Sequence, residues 1–352
     1  MTQPLSAEER TELVSRLAAY WGPNGAPASL LTYGPPGSGK TADQGLTFHR
    51  NGIYVGILQH LASIPANTGI PMAELPHYDV GSISQIFPIM HGMARWNLDR
   101  IRAGQQPYLA LCIDDLQYLA DGQFRLREQE NAAARAAEGK NPDTRAVFGM
   151  VSSDIEALFY TARSLGVHLW INAHARDPDN DLPRGTPFLP SRNMGSKVCG
   201  YAGTLLYAQK EDRSLGSGST PALAIPGMTP AEPPPKPFGW PGHYFSHHDR
   251  YVCRDRLGTA PVKGPMNMRE LLVAAGHIIP RPSEHTWMEE VVEAGAQALL
   301  SGQSYWDEVR PGGLKAAAAH GHAPRAAATR WLLRDIIDRY RIRESTAEPV
   351  FY

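Results

Sequence analysis

Ser29-Leu30-Leu31-Thr32-Tyr33-Gly34-Pro35-Pro36-Gly37-Ser38-Gly39-Lys40-Thr41 is the stretch that decides how this chain folds. A short apolar run, 29–33, enters a glycine-rich turn, and the next residues, 41–50, carry the pattern of a helix. The spacing Gly34-x4-Gly39-Lys40-Thr41 in that context is a phosphate-binding loop. The glycines let successive N–H groups turn inward around a phosphate, and the helix N-terminus adds a favourable dipole. Lys40 is expected to reach the β- and γ-phosphates of ATP, and the Thr41 hydroxyl to ligate Mg²⁺. Gly34, Pro35, Pro36, Gly37, Ser38, Gly39, Lys40 and Thr41 are thus the expected nucleotide-binding residues.

Such a loop needs a carboxylate at the end of another strand to hold the metal. Leu109-Ala110-Leu111-Cys112-Ile113-Asp114-Asp115 supplies it, an apolar run followed by acid. Asp114 is the expected metal-side carboxylate, and Asp115 a candidate to polarise the attacking water. Gln59 and His60, read as the end of the second strand, and Glu74 and Asp79 beyond them are the other candidates for the water site.

Outward from these motifs, apolar strands alternate with helical patterns. Residues 6–20 read as an amphipathic helix capped by Ser6 with Glu9. Strands are predicted at 29–33, 53–58, 108–113, 167–171, 203–208 and 251–254, with loop at 61–81. Helices are predicted from Ser82, over the charged, Ala-rich excursion 121–146, from about Ser153, and beyond Pro282. Alternation of this kind predicts an α/β fold with a largely parallel sheet covered on both faces. The Ser/Gly/Pro-rich stretch 214–241 reads as an insertion loop.

The 352 residues can hold one large α/β domain plus an appendage, or two modest domains, and 42% hydrophobic residues suffice for a sizeable core. A net charge of −1 excludes a protein that attracts nucleic acid as a whole, so any DNA site must be a local patch. Cys112, Cys199 and Cys253 show neither metal spacing nor a disulfide framework. With no signal peptide and no run of about 20 apolar residues, a cytoplasmic protein without membrane contact is expected.

Four motifs together resemble the RecA-like core, and within it the phage single-strand-annealing ATPases of the Sak type. They are the phosphate loop, Ile113-Asp114-Asp115, Leu169-Trp170-Ile171-Asn172-Ala173-His174-Ala175-Arg176, and Tyr251-Val252-Cys253-Arg254-Asp255-Arg256-Leu257-Gly258. The likeness spans roughly residues 29–279 and implies an N-terminal helix and linker 1–28, a RecA-like core 29–280 with an insertion at about 214–243, and a helical extension 281–352. It implies an ATPase acting on single-stranded DNA in recombination or replication, by annealing or strand pairing. It also implies a homo-oligomer, ring or filament, and a single-strand-binding protein as a further partner. Asn172 and His174 would sit beside the γ-phosphate, and 175–200 would be the DNA loop, with Arg176, Arg184, Arg192 and Lys197 as its cations. The excursion 121–146 would be the second DNA-facing segment. Lys210, Arg213, Arg254 and Arg256 are candidates for the cation that a neighbouring subunit supplies to the γ-phosphate.

Two departures stand out. The position that holds a water-activating Glu in RecA-like enzymes is read here as Gln59, an amide that orients water but accepts no proton at neutral pH. Ala175 stands where the Sak-type pattern often has Glu. Residues 310–343, outside the resemblance, carry eight Lys and Arg against Asp335 and Asp338, either a DNA-phosphate or docking helix or a packed helix with a basic face. Two rival functions remain: a P-loop motor or loader of another class, and a non-catalytic scaffold locked by ATP.

Overall fold

The computed structural model describes residues 4–21, 26–48, 51–68, 72–180, 182–210, 242–278 and 286–319, with Leu333, Ile336, Ile337 and Tyr340. They fall into two compact units. The first lies within Met1–Ile64, Pro71–Lys210 and Gly242–Ile279, and the second within Pro65–Ile70, Glu211–Pro241 and Pro280–Tyr352.

In the first unit the strands are β1 (Ser29–Gly34), β2 (Gly52–Gly56), β3 (His77–Asp79), β4 (Ala110–Asp114), β5 (His168–Arg176), β6 (Thr186–Pro187), β7 (Thr204–Lys210), β8 (Gly242–Phe245) and β9 (Lys263–Pro265). The helices that begin in it are α1 (Ala7–Leu17), α2 (Lys40–Phe48), α3 (Leu58–Leu61), α4 (Ser63–Thr68), α5 (Ile86–Arg102), α6 (Leu116–Ala137), α7 (Thr144–Ser164), α8 (Arg192–Tyr201) and α9 (Met268–Ala274). The sheet runs β3-β2-β4-β5-β1-β7-β8-β9, with β6 paired to β5 off that path. All ladders from β3 to β7 are parallel, and β8 and β9 close the edge antiparallel. The central strands are buried on both faces, as parallel strands are. Leu31, Tyr33, Ile53, Val55, Leu111, Ile113, Leu169 and Ile171 share a core with apolar residues of α1, α5, α6, α7 and α8. The alternate residues face the other way, where Phe48 of α2 packs its ring on His168 and Trp170. The result is a mixed α/β core with a mostly parallel sheet and the phosphate-loop strand near its centre.

Local chemistry explains the element ends. Ser6 Oγ accepts from Glu9 N at 3.1 Å while the Glu9 carboxylate accepts from Ser6 N at 2.9 Å, a reciprocal cap that starts α1. Arg95 of α5 then holds Glu9 to the core side. Asp143 caps α7 through Arg145 N and Ala146 N.

Several sequence expectations need correction. The second strand stops at Gly56, and Gln59 and His60 lie exposed on the short helix α3. The apolar Ile57 and Leu58 had prolonged the strand pattern, yet Leu58 is 44% exposed. The predicted loop 61–81 contains α4 and the edge strand β3. The excursion 121–146 is the body of a helical hairpin: α6 runs to Ala137, and α7 begins at Thr144 rather than near Ser153. Phe124 meets Phe148 at 4.8 Å and Arg127 pairs with Asp154 at 2.7 Å to hold the two helices together. Residues 251–254 form two isolated bridges, Gly185 to Tyr251 and Leu205 to Arg254, instead of a strand. Arg213 and the insertion 214–241 lie outside the described residues, as do the side chains of Glu74 and Lys210.

In the second unit, α10 (Thr286–Leu300) and α11 (Arg310–Ala319) flank a π-helical turn at Tyr305–Val309. Val292, Ala296, Leu299, Tyr305 and Val309 form an apolar cluster with Leu333, Ile336, Ile337 and Tyr340. Arg325, Arg330, Arg334, Arg339, Arg341 and Arg343 lie outside the described residues. No helix among the described residues is long and apolar enough to cross a membrane.

Candidate functional site: a phosphate loop facing paired carboxylates

The loop between β1 and α2 is shaped by two glycines in the left-handed region, Gly37 at φ 72° and Gly39 at φ 99°. A side chain at either position would be strained, so the turn depends on glycine. Lys40 Nζ lies inside the loop and donates to Gly34 O at 3.2 Å, Pro35 O at 3.1 Å and Ser38 Oγ at 3.0 Å. Burial drives its pKa down to about 8 against the opposing pull of Asp114 and Asp115.

β4 delivers the two acids. Thr41 Oγ1 donates to Asp114 Oδ2 at 2.8 Å, which places hydroxyl and carboxylate side by side. Burial raises the pKa of Asp114, and the neighbouring Asp115 charge raises it further. Thr41, Lys40 and the Asn172 amide pull it back toward the charged form. The Asp114–Asp115 peptide is cis. Close packing fixes this strand end: a Cβ on Gly56 of β2 would lie 1.6 Å from Asp114 O.

Asp115 does two things at once. Its Oδ1 accepts from Gln117 N at 2.8 Å, capping α6. Its Oδ2 meets His174 Nε2 at 3.0 Å. A carboxylate has about four lone-pair sites, so acceptor capacity remains for a water. The other ring nitrogen, His174 Nδ1, is buried with no hydrogen-bond partner among the described residues.

The strand β5 lies between β1 and β4, with Gly34 opposite His174 and Ile113 opposite Ile171. Asn172 is fully buried in it, and its Oδ1 accepts from Thr32 Oγ1 at 2.5 Å. Its amide nitrogen makes no well-aligned hydrogen bond but is near enough to Asp114 to favour the carboxylate. Gln44, on the inner face of α2, donates to Trp170 O at 3.0 Å and ties the loop helix to this strand. Sequence reasoning did not single out Gln44; its place at i+4 from Lys40 on the helix was the available signal.

No family model matches the chain, and no curated protein does. Among solved structures, a KaiC-like protein from the hyperthermophilic archaeon Pyrococcus horikoshii is similar over 53% of this chain and 74% of its own, at 12% identity and a TM-score of 0.33. The RadB recombinase is similar over 53% of this chain and 77% of its own, at 15% identity and a TM-score of 0.32. Likeness of that degree leaves function to be argued from the chain's own residues.

The remaining candidates are scattered. Gln59 and His60 stand exposed on α3, just beyond the end of β2 at Gly56. Asp79 ends β3 in register with Gly56, which is itself opposite Asp114, and is exposed. Within residues 175–200, β5 ends at Arg176, β6 takes Thr186–Pro187 and α8 begins at Arg192, with loop segments between them. Arg176 donates to Leu189 O at 2.7 Å, and Arg192 pairs with Asp179 at 2.9 Å. Arg184 and Lys197 are exposed. Arg254 donates to the carbonyls of Cys199, Gly200 and Ala202, closing the C-terminal end of α8. That engagement removes it from the freely presented cations, whereas Arg256 is exposed.

The donor set fits the ligand that the loop implies. Thr41 Oγ1 and Asp114 Oδ2 are adjacent hard oxygens, the type Mg²⁺ prefers, and Gly37 and Gly39 give the turn the left-handed backbone on which phosphate-binding nests are built.

Proposed function

We propose that the protein is an ATPase that acts on single-stranded DNA, in the manner of the Sak-type annealing ATPases its motifs resemble. The observation that carries this reading is the contact of His174 with Asp115 at 3.0 Å. It couples the acid beside the metal ligand to the strand that leads into the cation-bearing segment 175–200.

Lys40 would bind the β- and γ-phosphates, and Thr41 and Asp114 would hold Mg²⁺, whose charge stabilises the transferring phosphoryl group. Asp115 orients the attacking water and takes its proton, while His174 fixes the carboxylate. Asn172 contacts Asp114 and Thr32 at the same strand end, where it can register the bound phosphate. Assembly as a homo-oligomer, ring or filament, would bring a cation from a neighbouring copy to the γ-phosphate. Arg256, Lys210 and Arg213 remain candidates for it. Arg184 and Lys197 are the exposed cations for DNA phosphates, with Arg192 and Arg176 in braced positions beside them. The reading extends to a cytoplasmic setting and to a single-strand-binding protein as partner.

The test is binding of a labelled oligonucleotide with Mg²⁺ and no nucleotide, ADP, or a non-hydrolysable ATP analogue. Binding strengthened by the analogue, together with ATP turnover, is expected. An absence of binding in every nucleotide condition would overturn the DNA reading and leave a motor, loader or scaffold to be considered. Electron microscopy of the bound state separates ring from filament.

A further inference from the structure

Phe188 follows β6 and is 39% exposed, although large apolar rings are ordinarily withdrawn from water. The Arg176 guanidinium lies over its ring, with Cζ 4.6 Å from the centroid. Both partners are braced. Arg176 Nη2 donates to Leu189 O at 2.7 Å, and Phe188 N donates to His174 O at 2.8 Å. The backbone that positions the ring is therefore bonded to the residue whose imidazole touches Asp115. The neighbouring acids are engaged: Asp177 accepts from Tyr251 at 2.6 Å and Asp179 pairs with Arg192. Arg184 and Lys197 are exposed in the same segment. A fixed aromatic ring with a guanidinium against it, in a segment that also carries exposed cations, is the chemistry that holds unpaired bases.

We propose that Phe188, held against Arg176, is a stacking platform for an unpaired base of single-stranded DNA. The proposal rests on the DNA reading above and adds to it the part of the DNA that is recognised, the base and not only the phosphate.

The experiment compares an ordinary oligonucleotide with one of equal length made of abasic units. Both are titrated at several salt concentrations with saturating ATP analogue. Phe188→Ala is expected to weaken the base-bearing strand roughly tenfold and to leave the abasic strand unchanged. Its salt slope should match that of the unsubstituted protein, because no phosphate contact is lost. Phe188→Leu, which keeps apolar volume without a π face, should behave like Ala, and Phe188→Trp should restore binding. Circular dichroism melting checks that each variant is folded. Unchanged affinity of Phe188→Ala and Phe188→Leu for the base-bearing strand, or an equal loss on both strands, would overturn the platform alone. Failure of the unsubstituted protein to bind either strand would overturn the DNA reading and the platform with it.

Discussion

The phosphate loop and the segment after β5 both drew attention through their polar residues, and the structure treats them in opposite ways. In the loop, the predicted groups converge: Lys40 is enclosed by Gly34, Pro35 and Ser38, and Thr41 bonds Asp114. After β5 they disperse, because Arg176 braces Leu189 and Arg192 pairs with Asp179, and Arg254, from the separate 251–258 segment, likewise closes α8. A contiguous motif specifies its own geometry, since its backbone carries the function. A count of cations specifies none, since each guanidinium bonds whatever carbonyl or carboxylate the fold brings near it.

The largest effect should come from the convergent region. Asp115→Asn keeps an N-cap for α6, so the fold and ATP binding should persist while hydrolysis falls about 10²–10⁴-fold in a steady-state phosphate-release assay. Unchanged turnover would move the base elsewhere, with Glu74 and Asp79 next.

Lys40→Ala should weaken ATP binding by about 10–100-fold, read by calorimetry, because a hydrogen bond to a charged group is lost. The unsubstituted protein should also lose ATP affinity as pH rises past the Lys40 value of about 8. Stability without nucleotide should move the other way. Between about 8 and the ordinary 10.5 the unfolded chain holds a proton that folded Lys40 has released, so stability rises with pH across that window. Lys40→Ala should abolish that rise in denaturant titrations, and its persistence would show that another group causes it.

The dispersed region should divide into two behaviours. Arg254→Ala removes bonds to the carbonyls at the end of α8 and should cost about 1–3 kcal/mol in thermal or urea unfolding. Arg184→Ala and Lys197→Ala should leave stability nearly unchanged and reduce the slope of log affinity against log salt by roughly 0.7 each. If Arg254→Ala flattens the slope and the other two do not, the division is drawn in the wrong place.

Much of this was legible in the sequence. Gly34 to Thr41 and Ile113-Asp114-Asp115 stand where the motifs put them, because apolar runs bounded by glycine or acid form buried parallel strands. The short peripheral strands escaped notice for a physical reason. His77–Asp79 needs only backbone pairing to β2 and carries no apolar run. Tyr251–Arg254 misled in the opposite sense: Tyr251 stacks on Tyr207 at 3.8 Å, and Tyr33 donates to Val252 O at 2.6 Å. Its apolar pattern reflects packing against the sheet rather than membership in it. The end of the second strand was read too late because nothing in Ile57-Leu58 marks where pairing to β4 ends; the ladder stops at Gly56 opposite Asp114. The contact of His174 with Asp115 joins residues 59 positions apart in number and had no local signature.

The place of β5 also bears on how such a site can evolve. Among the described strands it is the one paired both to β1, which leads into the phosphate loop, and to the acid-bearing β4. A single-residue insertion or deletion in its middle would turn His174 to the opposite face and slip the ladder against both neighbours together. Lineages descended from this chain therefore cannot change the length of β5 between His168 and Asn172 without discarding both halves of the site.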